Sequence, residues 1–462
     1  MNLPTSLMNS MDDLPGFDRE SFIRIHESGV QVTSIRLNPR KHKINPQSAI
    51  SQSAISQSAI ENIPWSSFGF YLSERPVFTL DPLFHAGVYY VQEASSMFLE
   101  QALRQTVDLS QPIKILDLCA APGGKSTLIQ SLINEESLLV SNEVIKARVN
   151  ILQENITKWG AANVVVTNND AKDFSSLTNY FDVMVIDAPC SGSGLFRKDR
   201  DAIHEWSPQN VELCSQRQKR IISDAYPSLK EDGILIYSTC SYSEEEDEDI
   251  LDWLSKSYNV ETIQLKLESN WNIVESIAAE SKFYGYRFYP DKLKGEGFFI
   301  AAIRKKEGVE SNTRPVRSTI NSLSKNDLAV VKNWINTEAN LSYIKHGEDA
   351  IGVSNSIESE LPILQKHLYL KQVGFTIGKL TSKVLIPEHS LAMSERTSPS
   401  IASVSLNKEA ALQYLRKADV LIDVGQKGWM LVKYNGINLG WIKHLGNRIN
   451  NYYPKDWRIL MR

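Results

Sequence analysis

The stretch IKILDLCAAPGGKS, residues 113–126, decides the fold. A β-branched apolar run from Ile113 ends on Asp117 and passes at once into a turn holding Gly123 and Gly124, after which Lys125 and Ser126 open a helix-like segment. Adjacent glycines let the backbone bend tightly and approach a ligand at the start of the following helix. The pattern recurs. Apolar runs end at Leu138–Glu143, Val164–Asp170, Asp182–Asp187 and Ile234–Cys240, with helix-length stretches between them, and residues 297–304 (GFFIAAIR) add a late strand. Strand alternating with helix predicts an α/β domain, a parallel sheet covered on both faces. Ligands bind such sheets outside the carboxyl ends of the strands, which is where Asp117, Glu143, Asp170, Asp187 and Cys240 fall.

Three ligand types compete for the glycine turn. Gly124-Lys125-Ser126 matches the end of a phosphate-binding P-loop, but the first required glycine is Cys119. A dinucleotide fingerprint is absent from the turn as well. Glu143 stands 26 residues after Asp117, at the end of the second strand, a position suited to two ribose hydroxyls. Asp170, at the end of the third, can accept from an exocyclic amine such as that of adenine. Together these placements point to an adenosine ligand with no phosphate to cradle.

Four cysteines in 462 residues are too few for a disulfide framework, so cysteine matters here as a thiol. Cys214 falls in a helical run and reads, with Cys119, as structural. Cys190 (DAPCSGSG, residues 187–194) and Cys240 (STCS, residues 238–241) sit instead in turns at the ligand edge. They lack the C-x-x-C spacing of a thiol oxidoreductase, and no His/Cys spacing for zinc occurs, so no metal is expected. The acidic run EEEDEDILD, residues 244–252, reads as a solvated helix start.

In this order and spacing, DLCAAPGGKS, DAPCSGSG and STCS resemble the RNA 5-methylcytosine methyltransferases of the NOL/NOP2/Sun family. The resemblance implies a Rossmann-like methyltransferase fold with S-adenosyl-L-methionine as cofactor. It implies that Cys119, Ala120, Ala121, Pro122, Gly123, Gly124, Lys125, Glu143, Asp170 and Asp187 hold that cofactor. It further implies that Cys240 is the nucleophile, that Asp187 supports the cytosine ring, and that Cys190 helps release the methylated base. Two thiols suit the chemistry: addition to carbon 6 of cytosine turns the ring into an enamine whose carbon 5 can attack a methyl group, and a thiolate both adds and leaves readily. The base must leave any stacked helix to reach such a pocket.

The flanks extend the resemblance over the whole chain. Residues 1–110 are similar to a small RNA-contacting module, with Ser34, Arg36, Asn38, Arg40 and Lys41 as its contacting segment, and leave no room for a separate all-helical domain. A catalytic domain at 111–305, an intermediate or linker unit at 306–386 and a β-rich PUA-like domain at 387–462 follow, with residues 305–319 and 387–400 read as linkers. The long C-terminal extension resembles the RsmF branch of the family, which implies cytosine 1407 of 16S rRNA in the assembled 30S subunit as target and a monomeric enzyme. The net charge of -4 argues against coating nucleic acid by bulk electrostatics. Yet residues 401–462 carry 10 basic against 4 acidic residues, interleaved with Trp429, Tyr434, Trp441, Tyr452, Tyr453 and Trp457, a mixture able to stack on bases and pair phosphates.

No run approaches the length of a membrane span, and the N-terminus carries acids where a signal peptide needs basic and apolar residues, so a cytoplasmic protein is expected. The pentapeptide Ser-Gln-Ser-Ala-Ile, repeated between Gln47 and Ile60, reads as an expanded loop. Two other classes stay open on sequence grounds: a P-loop nucleotidase, and an RNA-binding protein that keeps the fold without catalysis.

Overall fold

The computed structural model describes residues 3–41, 60–308, 321–336, 341–381, 384–419 and 425–461. The pentapeptide repeat up to its last residue, Ile60, and most of the 305–319 linker lie outside them.

The catalytic sheet has ten strands: β1 (Lys114–Asp117), β2 (Leu138–Asn142), β3 (Val164–Thr167), β4 (Phe181–Asp187), β5 (Leu229–Thr239), β6 (Val260–Thr262), β7 (Val274–Ile277), β8 (Tyr284–Phe288), β9 (Phe298–Lys305) and β10 (Leu370–Val373). Their order is β7-β8-β9-β5-β4-β1-β2-β3-β10, with β6 beside β9. β3, β2, β1, β4 and β5 run parallel. β9 and β10 flank them antiparallel. Burial on both faces explains why the central strands read as unbroken apolar runs.

Helices cover both faces of the sheet, among them α1 (Gly124–Leu132), α2 (Lys146–Trp159), α3 (Pro208–Ala225) and α4 (Glu248–Ser257). Leu128, Ile129, Val149, Leu152 and Ile156 of α1 and α2 pack on Ile115, Leu139, Val164 and Val183. Ile221, Ile222, Ile250 and Leu254 of α3 and α4 pack on the alternate residues Leu116, Val140, Val165 and Met184. Helix α3 starts as its sequence dictates, with Pro208 in the first turn and the Ser207 side chain accepting from the Asn210 amide.

The N-terminal segment forms a four-stranded antiparallel sheet in which Thr33–Leu37 is flanked by Gly69–Leu72 and Tyr89–Val91. Its basic strand is not an RNA-facing surface. Arg36 and Asn38 are buried. The Arg36 guanidinium donates to the Gln92 side chain, the Thr127 and Gly124 carbonyls and the Thr127 hydroxyl, and lies over the Trp159 ring. Lys41 donates to the Ala86 and Lys158 carbonyls, and burial pushes its ammonium down to about 7. These side chains fasten the module to α1 and α2, so the RNA-contact reading of residues 34–41 is corrected.

Residues 387–400 are not a free linker either, since Leu391, Ala392 and Met393 of the helix His389–Met393 are buried. A five-stranded sheet occupies residues 321–387, whose intervening segment lends β10 to the catalytic sheet. In the C-terminal unit Ser403–Leu406 pairs in parallel with Gly428–Tyr434, which pairs with Ile437–His444. Its Tyr414, Leu415, Met430 and Val432 share one apolar core with Ile35, Leu37, Phe70 and Leu83 of the N-terminal unit. Of the six aromatics that the sequence interleaves with basic residues, Trp441 and Tyr453 are buried, whereas Tyr452 is 39% exposed. The rings of Trp429 and Tyr452 meet at 4.4 Å with the Lys443 ammonium over Trp429. Among the described residues no helix is long and apolar enough to cross a membrane.

Candidate active site

The carboxyl ends of β1, β2, β4 and β5 converge on one ledge. The turn after β1 is held from three sides: Ala120 donates to the Asn142 carbonyl, Arg148 to the Ala121 carbonyl and Asn155 to the Pro122 carbonyl. Gly123 caps α1 with a φ of 116°, and a side chain there would also press on Asn155 and Leu152. Asn142 staples the ledge, donating to the Leu118 and Asn169 carbonyls while accepting from Thr167 and the Asn169 amide. Sequence reasoning passed over Asn142, because an asparagine at a strand end looks like any polar turn residue.

Asp117 is wholly buried and accepts from the Ser126 hydroxyl at 2.6 Å through one oxygen. Its other oxygen, Oδ1, is buried with no hydrogen-bond partner. Burial pushes this carboxyl up to about 7, against the Ser126 hydrogen bond and the Lys125 charge, and the nearby Asp187 and Glu143 carboxylates add to the rise. Glu143 is buried, accepts from the Ile145 amide and lies 3.5 Å from Arg148. Asp170 stands farther along, capping a short helical turn through the Lys172 amide, with Arg220 3.7 Å away. Cys119 is partly buried behind this turn, its thiol pushed up by burial and the surrounding carboxylates, which fits a structural sulfur.

Asp187 ends β4. One of its oxygens pairs with Lys125 at 2.7 Å and the other accepts from Ser238 of β5 at 2.9 Å. The Lys125 ammonium also lies over the Phe298 ring. Beyond Asp187 the two thiols come together: Cys190 Sγ lies 2.7 Å from Cys240 Sγ, and both cysteines are free and partly buried. The hydrogen bond to Cys240, then burial and the Glu246 charge, hold the Cys190 thiol well above its ordinary value. The Gly194 amide donates to the Cys240 carbonyl, and any side chain on Gly194 would strike the backbone of Cys240 and Gly297. Cys214 is buried in α3.

The acidic run after Cys240 does not behave as a solvated helix start. Glu244 and Glu245 face solvent, but Glu246, Asp247 and Glu248 are buried and bonded. Arg287 donates to both oxygens of Glu248 and lies 3.3 Å from Asp247, which accepts from Thr239. The charges point inward because a buried arginine and a ring of hydroxyls await them, and residue type alone cannot reveal that.

Residues 105–304 match the family model described as 16S rRNA methyltransferase RsmB/F, residues 402–459 the methyltransferase RsmF PUA domain, and residues 3–94 the N-terminal domain of 16S rRNA methyltransferase RsmF. Ribosomal RNA small subunit methyltransferase F of Vibrio vulnificus (strain YJ016) is 30% identical over 436 residues, covering 92% of this chain and 90% of that protein. The chain belongs to the RsmF family of rRNA small-subunit methyltransferases. The RsmF relative of Shewanella piezotolerans is 29% identical across 98% of this chain and 96% of its own length. Among solved structures, a methyltransferase homolog from Pyrococcus horikoshii is 27% identical with a TM-score of 0.53, covering 66% of this chain and 100% of that one. NSun6 from Pyrococcus horikoshii, solved with SFG, shares the fold at 21% identity and a TM-score of 0.54, covering 66% of this chain and 98% of that one.

As in the rest of the RsmF family, the cofactor is S-adenosylmethionine, and the ledge fits it. The orphaned Asp117 oxygen offers a buried acceptor for a cationic amine, and Glu143 is a strand-end carboxylate suited to ribose hydroxyls. The same carboxylates disfavour a triphosphate, and the lysine a P-loop would need is already paired with Asp187. These observations speak against the nucleotidase reading.

Proposed function

We propose that this methyltransferase transfers a methyl group to carbon 5 of a cytosine in 16S rRNA through a covalent cysteine–cytosine intermediate. The observation that carries this reading is the approach of Cys190 and Cys240 to 2.7 Å at the ends of adjacent strands, beside Asp187. Bound S-adenosylmethionine supplies an electrophilic methyl group on its sulfonium. The turn from Cys119 to Lys125, with Glu143, Asp170 and Asp187, orients it against the base.

The Cys240 sulfur adds as thiolate to carbon 6, forming a carbon–sulfur bond and pushing the electron pair to carbon 5. Asp187, fixed by Lys125 and Ser238, hydrogen-bonds the ring at N3 and stabilises its protonated form. Carbon 5 then takes the methyl group as its bond to sulfur breaks, and a neutral thioether is the leaving group. Cys190 removes the carbon 5 proton, directly or through a water molecule, and the carbon–sulfur bond breaks to restore the aromatic ring and free Cys240. To accept that proton Cys190 must itself be ionised, its own proton having passed to water, and its raised value makes the thiolate so formed the stronger base.

The partner we propose is the small-subunit RNA inside the assembled 30S particle, with cytosine 1407 as the target. The enzyme acts as a cytoplasmic monomer in this reading. The Trp429–Tyr452 pair with Lys443 gives the C-terminal unit a face able to stack and to meet phosphate. Bisulfite sequencing of 16S rRNA from a strain lacking the gene tests the target. The expected result is one cytosine that loses protection and regains it on complementation; an unchanged pattern would refute the assignment.

A further inference from the structure

Between the two thiol-bearing loops lies a carboxylate with no place in the chemistry above. Glu246 is wholly buried, yet it accepts four hydrogen bonds. Its Oε1 takes the Ser191 amide at 2.8 Å and Gln218 Nε2 at 3.1 Å. Its Oε2 takes the Ser191 hydroxyl at 2.5 Å and the Ser241 hydroxyl at 2.6 Å. Ser191 follows Cys190 directly, and Ser241 follows Cys240. Three of the four donors therefore come from the residues adjoining the two sulfurs. Ser193, from the first loop, also reaches Ser241 and accepts from the Tyr242 amide.

A carboxylate so placed ties the two loops together beyond the strand ends at Asp187 and Thr239, where the backbone bond from the Gly194 amide to the Cys240 carbonyl also joins them. Four donors and no acceptor suit an ionised group, and charge-assisted bonds of this length are the stiff ones. Neither loop has another buried carboxylate bridging it to its partner among the described residues.

We propose that Glu246 is a positioning residue of the methyl-transfer reaction, clipping the Cys190 and Cys240 loops together so that nucleophile and eliminating thiol reach the same base. This inference rests on the covalent mechanism proposed above. Glutamine in its place keeps the volume but presents an amide that can no longer accept from both hydroxyls and the amide at once, so the sulfurs lose their register. Misplacement of about 1 Å at a reacting atom lowers rates by roughly 100-fold.

The test uses the full chain, 30S subunits as RNA substrate and radiolabelled S-adenosylmethionine in single-turnover reactions. Glu246→Gln is expected to bind S-adenosylmethionine as wild type does, with methyl transfer slowed about 100-fold. Glu246→Asp, which keeps the charge with a shorter reach, is expected to recover part of that rate. Purely structural damage would instead lower cofactor binding and the active fraction together while leaving the single-turnover rate constant intact, and that outcome, or a wild-type rate, would overturn the proposal. If Glu246→Gln does not fold, Ser191→Ala and Ser241→Ala each remove one donor; a slowed transfer in both supports the clip and unchanged transfer in both overturns it. Cys240→Ala run in parallel separates the two claims: an active Cys240→Ala enzyme refutes the covalent mechanism, whereas an inactive one beside a fully active Glu246→Gln refutes only the clip.

Discussion

The Lys125 ammonium stands 2.7 Å from Asp187 Oδ2, joining the glycine turn after β1 to the end of β4. It ties the cofactor ledge to the base-facing carboxylate in one contact. Lys125→Met removes the cation and leaves Asp187 with the Ser238 hydroxyl alone. Methyl transfer is expected to fall by roughly 100-fold, with a smaller loss in cofactor affinity. Single-turnover rates and calorimetric titration with S-adenosylmethionine measure the two separately.

Asp117 sets a pH dependence of stability. Its folded value of about 7 exceeds the ordinary 3.8, so the folded protein holds a proton that the unfolded chain releases. That contribution is complete below the ordinary value and is lost as pH rises through about 7. Without cofactor, the wild type should lose up to roughly 4 kcal/mol relative to Asp117→Asn between pH 4 and pH 8. Thermal melts of both proteins across that range check the crossing. Saturating S-adenosylmethionine should diminish the difference by giving the ionised carboxylate a cationic partner.

Arg36 joins the N-terminal sheet to α1. Replacing it with alanine strands the Gln92 side-chain oxygen and takes one donor from the carbonyls of Gly124 and Thr127, which keep the Thr127 and Ser131 hydroxyls. A loss of about 2–4 kcal/mol in unfolding free energy follows from deleting a large buried side chain together with its hydrogen bonds and its packing over Trp159. Urea denaturation of Arg36→Ala against wild type reads it directly, and cofactor affinity should weaken as well because Gly124 belongs to the turn.

The C-terminal unit shares its core with the N-terminal sheet, so truncating it would open Ile35, Leu37 and Phe70 to solvent and confound any binding measurement. Point changes are cleaner. Trp429→Ala and Lys443→Ala should each weaken binding to 30S subunits about tenfold at moderate salt without touching S-adenosylmethionine affinity. Loss of the Lys443 charge should also shallow the salt slope by about one ion.

Much of the catalytic sheet was legible in the sequence because its strands are buried on both faces and end in named polar residues: Asp117, Asp187 and Cys240 all fall where the apolar runs stop. The cysteine pair was legible for the same reason, since strands β4 and β5 are neighbours and residues just past their ends must meet. Buried polar groups were not. Arg36 looked like an RNA contact and Glu246 like a solvated helix start, because a charged residue reveals its burial only through partners far away in sequence, such as Thr127 for one and Ser191 for the other. The strand β10 was equally hidden, a short half-buried run whose place beside β3 is decided by packing of the segment around it.

The division of labour between the two thiols is tested most directly on denaturing gels of purified variants incubated with 30S subunits and S-adenosylmethionine. Cys190→Ala should accumulate a protein–RNA adduct that survives denaturation, whereas Cys240→Ala should form none and transfer no methyl group. A Cys240→Ala enzyme that turns over normally, or an adduct that persists without Cys240, would contradict the covalent mechanism.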